Sequence, residues 1–373
     1  MPEITLVSTD IGTDLDDALA IVLLAQHPDR FDLRGIYTTA GPVELRARIA
    51  KKLLDCLGAS SPVGVGESNP LNYSPSTIQS VTTGFEPILL TTKEQKHVSR
   101  SGVRILPDGL SHLEQQIAGA EEPVTLISLA PLTNIARLLQ RFPSAPQHVR
   151  QLYILGGNTL PETPEHNFLN DVEAARIVFS SDFPITLIPA NACQGYALPY
   201  HVFKYKKSIP GSPLKTYLER MANVWRLHNE LAAFGDNTIR IMQFLHPGDK
   251  TKNFIEMVLD RREYIKDFRQ AYYLYEQVFK YFLRTAEEPV QRLIKEAMEL
   301  SEKKETIPYD AYVIYAILHP ARVESRRALV TIAETYGDTI LAPGDKHTVV
   351  TRFDYAHAGS FFEQHFRAQT KAV

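Results

Sequence analysis

Four carboxylates stand within eight residues in the run "STDIGTDLDDALAIVLL", Ser8 to Leu24: Asp10, Asp14, Asp16 and Asp17. Carboxylates this close raise one another's pKa unless a cation or hydrogen-bond donors offset the repulsion. A hard divalent cation is the simplest remedy, because calcium and magnesium take oxygen ligands and leave positions for water and substrate. An Asp at a strand end and another in the first turn of the following helix can converge on one such ion. A local account of the same residues makes Asp14 a helix cap, with Asp16 and Asp17 complementing the N-terminal dipole. Four acids in one turn, with Asp10 at the strand end, favour the metal site.

The elements around this turn predict where it sits. To about residue 195 the chain alternates β-rich runs with helical periodicity. "EITLVST" reads as a strand, "LDDALAIVLLAQHP" as a helix, "FDLRGIYTTA" as a strand and "VELRARIAKKLLDCLGA" as a helix. A short strand "PVGVG" follows, and "PVTLISLA", "LTNIARLLQRFP", "VRQLYILGG", "DVEAARIVFSS" and "PITLIPA" continue the alternation. Near-continuous apolar strands separated by helices specify an α/β fold: a mostly parallel open sheet with helices on both faces. Such sheets bind ligands at the carboxyl ends of their strands, which places the aspartates, "TTAGP", "LAPLTN" and "GGN" on one rim. "YDAYVIYAILHP", "ALVTIAE", "HTVVTRF" and "AGSFFEQHF" return to the same grammar near the C-terminus.

Residues 200–305 differ. They are charged, aromatic and helical, with Ile265, Phe268, Tyr272, Tyr275, Phe279 and Phe282 at steps of three and four. They read as a helical insertion within a single domain of residues 1–373, either a packed satellite layer or a lid over the rim.

With 373 residues, 44% hydrophobic, the chain can bury a large core. A net charge of −3 with interspersed signs offers no basic field for nucleic acid or an anionic membrane. Cys56 and Cys193 lie far apart in apolar company, as reduced thiols of a cytoplasmic protein do. "MPEITLVSTD" carries no basic start or cleavable apolar core, and no apolar run approaches the ~20 residues of a membrane span. The expected location is the cytoplasm and the expected partner a small molecule.

"TDIGTDLDDALAI" closely resembles the N-terminal signature of the inosine-uridine-preferring nucleoside hydrolases, whose Asp-x-Asp-Pro-Gly-x-Asp-Asp turn holds calcium. Later landmarks fall in the same order: "TLISLAPLTNIARLLQRFP", "LGGN", "PEHNFLNDVEAARIVF" and "IPYDAYVIYAILHP". The resemblance implies a calcium-dependent hydrolase that cleaves the N-glycosidic bond of a ribonucleoside to free base and ribose in nucleoside salvage, as a homo-oligomer, dimer or tetramer. It implies that Asp10 binds calcium and acts as general base on the nucleophilic water. Asp17, the main-chain carbonyl of Leu129 and Asp310 complete the calcium site. Asp16 orients the ribose, and Asn158, Glu165 and Asn167 contact its hydroxyls. The chemistry suits these residue types: an oxocarbenium-like transition state rewards carboxylates near the sugar and an activated water on its opposite face.

Three residues depart from that pattern. Ser8 stands at the family's first Asp, and Pro42 at an Asn that helps hold the ribose. Tyr309 stands where many members place a histidine thought to protonate the leaving base. Tyr309 is therefore the catalytic candidate at that position, as a hydrogen-bond donor rather than a strong acid. His228, His246, Tyr312 and Trp225 are further candidates for the base side, with core or surface roles as the plainer reading. These changes point to a substrate other than plain inosine or uridine, such as a modified nucleoside. Two rivals remain: a non-catalytic, calcium-loaded nucleoside-binding protein, and a haloacid dehalogenase-type phosphatase, against which stands Ala18 at a position needing Thr or Ser.

Overall fold

The computed structural model describes residues 1–72, 86–91, 102–203, 212–242 and 304–368, together with Glu94, Glu288, Gln291 and Arg292. Nine strands form one sheet in the order β10-β11-β7-β6-β5-β1-β2-β3-β4. The central strands are β1 (Glu3–Thr9), β2 (Phe31–Thr38), β5 (Val124–Ser128), β6 (Val149–Leu155) and β7 (Ile185–Ile188), with short β3 (Val63–Val65) and β4 (Ile105–Leu106) at one edge. All these pair in parallel. The other edge is a long antiparallel hairpin of β10 (Val323–Ile332) and β11 (Thr339–Phe353), joined to β7 in parallel. The open, mostly parallel sheet expected from the alternation is the one observed. The terminal hairpin is what an alternation rule does not anticipate.

Strand order reverses at β1. The chain steps outward through β2, β3 and β4, then returns to β1's other side with β5. A crevice opens at such a switch point, beyond the carboxyl ends of the two strands. Adjacent residues of one strand enter different apolar clusters: Val7 and Ile127 join Leu19, Leu53 and Tyr312, whereas Leu6 and Leu126 join Leu113, Ile135 and Val178. Because successive side chains point to opposite faces, both faces of the sheet are covered.

Two helices have no polar face. Helix α1 (Asp16–Gln26) is buried from Asp16 through Leu24, and the helix Tyr309–Leu318 from Asp310 through Ile317. Apolar around their circumference, they must be enclosed, and they pack against one another. This contact brings Asp310 to the N-terminal turn of α1 across nearly 300 residues of sequence.

Leu198 and Pro199 pair antiparallel with Thr306 and Glu305, so the two ends of the 200–305 segment meet in a small ribbon. Within it, Pro213–Met242 is a 30-residue helix. The aromatic stripe from Ile265 to Phe282 and His246 lie outside the described residues.

One buried side chain clamps the rim of the switch point. Asn134, in the first turn of the helix Thr133–Arg141, donates to the Ser8 hydroxyl (3.1 Å) and the Thr38 carbonyl (3.2 Å) and accepts from the Glu67 amide (3.0 Å). It therefore ties β1, β2 and the segment after β3 to the helix that follows β5. It does not cap its helix, and it does not line the cavity described below. Asn134→Ala leaves the half-buried Glu67 amide without its acceptor, strips the donor from Ser8 and Thr38, and lowers unfolding free energy by about 2–4 kcal/mol in denaturant titration. A loss below about 0.5 kcal/mol would show that the clamp carries no weight.

Candidate active site

A cavity of about 660 Å³ lies at the carboxyl ends of β1, β5 and β6, where the strand order reverses. Asp10, Thr13, Asp14, Asp16 and Asp17 line it from the β1–α1 turn. Leu129 follows β5, Asn158 follows β6, and Glu165, His166 and Asn167 come from the next loop and short helix. Tyr309 and Asp310 close it from the second apolar helix, and Trp225 and His228 from Pro213–Met242. The residues given metal, sugar or catalytic roles from the sequence line this cavity, as do Trp225 and His228, whereas Tyr312 is fully buried and absent from the lining.

Oxygens of Asp16, Asp17 and Asp310 all lie within 4.8 Å of one another, and the three residues are buried. Their partners are few. The Thr9 hydroxyl donates to Asp17, the Asp17 amide donates to Asp16 (3.2 Å), and Asp310 Oδ1 is buried with no hydrogen-bond partner among the described residues. Burial pushes all three carboxyls well above the usual carboxylate range, and neighbouring aspartates push further: Asp14 and Asp10 on Asp16, Asp10 and Asp16 on Asp17, and all four on Asp310. Asp14, half-buried, is pushed up to about 7 by burial, with a hydrogen bond from Asp16 working the other way.

The capping readings of these acids do not match the geometry, although Asp16 and Asp17 do stand in the first turn of α1, where they complement its dipole. No side chain caps α1, and Asp14 instead accepts from the Leu15 amide (2.6 Å). No side chain caps Tyr309–Leu318 either, so Asp310 is not an N-cap. The donor set is one a hard cation fits: three buried carboxylates of like charge, one of whose oxygens has no donor among the described residues, in a cavity that Leu129 also lines.

Backbone-fixed amides also line the cavity. Gly157 turns the chain at φ +69°, where an added Cβ would meet the Thr339 hydroxyl at 2.3 Å and the Phe168 ring at 2.7 Å, so glycine is required. Asn158 follows, anchored through its amide N–H to Thr339 Oγ1 (3.2 Å) and through Oδ1 to the Leu160 amide (2.9 Å). Asn167 donates from Nδ2 to the carbonyls of Leu129 (3.1 Å) and Leu155 (3.2 Å). Among the described residues Asn158 Nδ2 and Asn167 Oδ1 have no protein partner. Glu165 accepts from the amides of Gly157 (2.8 Å), Asn167 (2.9 Å) and Phe168 (3.2 Å), capping the short helix His166–Asn170 rather than standing in solvent. Burial raises its pKa, and those amides oppose the rise.

Two cavity residues went unnoticed in the sequence. Arg46, 3% exposed, donates to the carbonyls of Asp10 and Ala40, the latter at 2.8 Å. Ala40 holds φ 62°, a left-handed conformation that costs a non-glycine residue about 1–2 kcal/mol. Arg46 thus fixes the turn that presents Asp10. Its signal was available: it lies in phase with the apolar stripe of Val43, Ala47, Ala50 and Leu54 in α2 (Val43–Leu57), where a charge needs a buried partner. Glu86, 2% exposed, joins Arg46 in the lining from a segment with no periodicity.

The departures fall away from the walls in two cases. Ser8, fully buried, accepts from Asn134 and does not line the cavity. Pro42 precedes α2 and is absent from the lining as well. Tyr309 does line it, and burial raises its phenol, so the hydroxyl stays protonated as a donor. Cys56 and Cys193 are both free thiols, and no described helix is long and apolar enough to cross a membrane.

Comparison with known proteins places these observations. The chain is 35% identical over 190 residues to the non-specific ribonucleoside hydrolase RihC of Escherichia fergusonii, covering 48% of this chain and 59% of that protein. It is 31% identical over 196 residues to an uncharacterized Schizosaccharomyces pombe protein, covering 50% and 60%. The matched region spans less than two thirds of these relatives' length. Among solved structures it is similar to a purine-preferring ribonucleoside hydrolase from Gardnerella vaginalis, with TM-score 0.66, 16% identity and all of both chains covered. It is similar also to the type III effector protein XopQ complexed with adenosine diphosphate ribose, with TM-score 0.64, 16% identity and coverage of 100% and 95%. At that identity the structural likeness speaks to the fold. The model of the inosine-uridine preferring nucleoside hydrolases, however, matches residues 5–360, from β1 into the C-terminal helix, and the chain belongs to that family.

Proposed function

We propose that this protein is a calcium-dependent N-ribosyl hydrolase that cleaves a ribonucleoside, plain or modified, to free base and ribose. The observation that carries this reading is the buried trio Asp16, Asp17 and Asp310, with Asp310 Oδ1 unpartnered among the described residues, in a cavity also lined by Asn158 and Asn167. Asp17 and Asp310 of the trio, with Asp10 and the Leu129 carbonyl, are the residues that would hold the cation, and the family resemblance would give Asp16, the third member, to the sugar. When bound, the cation supplies charge that lets these carboxylates ionise together, lowers the pKa of water and grips the sugar diol.

The chain's own groups supply the rest. Asp10, at the end of β1 and steadied by Arg46 at its carbonyl, takes the proton from the attacking water. Asn158 and Asn167 fix the ribose hydroxyls with amide atoms no protein group uses, so positioning lowers the barrier. Carboxylates around the ring stabilise the positive charge that develops as the C1′–N bond lengthens.

Two substitutions separate the roles. Asp310→Asn removes a cation ligand, so calcium binding followed calorimetrically weakens at least tenfold and activity falls about 10²-fold or more. Asp16→Asn keeps calcium binding within a few-fold while hydrolysis collapses through substrate positioning. Loss of calcium in Asp16→Asn with retention in Asp310→Asn would reverse the assignment.

Linkage gives a second expectation. Unfolded aspartates titrate near ~4, whereas these are raised in the cation-free fold, so between those limits the folded chain binds more protons than the unfolded one. Stability contributed by these groups is therefore full at low pH and lost as pH rises. Calcium binds the ionised forms and offsets that loss. The rise in Tm on adding calcium grows from about pH 5 to about pH 8, a difference in which other titrating groups cancel. A calcium shift that is constant over this range would contradict a carboxylate seat.

A further inference from the structure

Scission of an N-glycosidic bond leaves an electron pair on the base, and a neutral base leaves more easily if a proton meets that pair. The proposed reading assigns a base for the water but no acid for the leaving group. Three cavity residues have a proton to offer: Tyr309, His166 and His228. A phenol, with an ordinary pKa near ~10, transfers its proton reluctantly at neutral pH, whereas an imidazolium, near ~6.5, is matched to the task. His166 is exposed and opens the short helix capped by Glu165, in the run that carries the sugar-facing amides. It sits with the groups that serve the hydroxyls.

His228 is placed differently. It comes from the long helix Pro213–Met242, an element that carries neither the carboxylates nor the amides, and lines the same cavity. Its ring lies on the indole of Trp225, one helical turn earlier, with centroids 5.2 Å apart and planes at 15°. Trp225 is itself fixed by an Nε1–H donated to Thr306 Oγ1 (3.1 Å), on the ribbon that closes this segment. A ring stacked on a hydrogen-bonded indole is oriented before substrate arrives. Both residues are half-buried, as groups lining an accessible cavity are.

Resting on the hydrolase reading above, we propose that His228 is the acid that protonates the departing base, with Trp225 as the positioning residue that holds its ring. In that step the C1′–N bond breaks with its electron pair passing to the base, and an imidazolium N–H proton of His228 moves onto a base nitrogen. The water oxygen bonds to C1′ while its proton passes to Asp10. Solvent then returns a proton to His228 and removes one from Asp10, so the net change is nucleoside plus water giving ribose plus base.

The experiment compares a purine nucleoside with 4-nitrophenyl riboside, whose leaving group departs without a proton, on the full-length calcium-loaded enzyme. His228→Ala lowers kcat for the nucleoside about 10²- to 10⁴-fold and changes kcat for the nitrophenyl riboside by no more than a few-fold. That retained activity also certifies the fold. His228→Gln, which keeps an N–H donor but has no transferable proton, behaves like His228→Ala. Trp225→Leu lowers kcat for the nucleoside with the nitrophenyl riboside spared, a selectivity that loss of structure would not produce. An equal loss on both substrates, or no loss on the nucleoside, overturns the proposal while leaving the hydrolase reading intact. Wild-type enzyme that cleaves neither substrate overturns the hydrolase reading and this inference with it.

Discussion

Three carboxylates drawn within 4.8 Å of one another, at the contact of two helices with no polar face, set the terms for everything else in this structure. Each ionised pair at that separation repels by about 3–4 kcal/mol at an effective dielectric of ~20. Burial adds a desolvation penalty to each charge. Apolar helices could contact one another far more cheaply through leucine or valine. The fold retains the acids and leaves Asp310 Oδ1 without a donor among the described residues, which is understandable if a cation completes the arrangement.

The surrounding architecture holds that cluster open. The strand reversal at β1 provides the crevice, and Asn134 keeps four strand ends in register around it. Arg46 and the left-handed Ala40 fix the turn bearing Asp10. Gly157 and the Glu165 cap fix the amides that also line the cavity. The helix Pro213–Met242 then adds an aromatic wall carrying the Trp225–His228 pair.

Much of this was legible in the sequence because it is written locally. Strand-helix alternation specifies a parallel sheet, and the Asp-rich turn after the first strand marks its ligand-binding rim. Asp310 was legible through resemblance alone, since nothing in its neighbours distinguishes a site acid from a helix cap. What escaped depends on contacts distant in sequence. Asn134 looks like a turn residue until the strands beside it are assembled. Glu86 sits in a stretch with no pattern at all. His228 and Trp225 were already candidates for the base side but fit an ordinary amphipathic helix equally well, and only the placement of that helix brings them to the cavity.

A crystal structure of the protein soaked with calcium and ribose tests the carboxylate seat most directly. One ion should lie between Asp17 and Asp310, in contact with Asp310 Oδ1, with ribose hydroxyls reaching the Asn158 and Asn167 side chains. A ribose bound with no ion beside those carboxylates, or an ion seated elsewhere in the cavity, would contradict the proposal that the buried acids exist to hold a cation against the sugar.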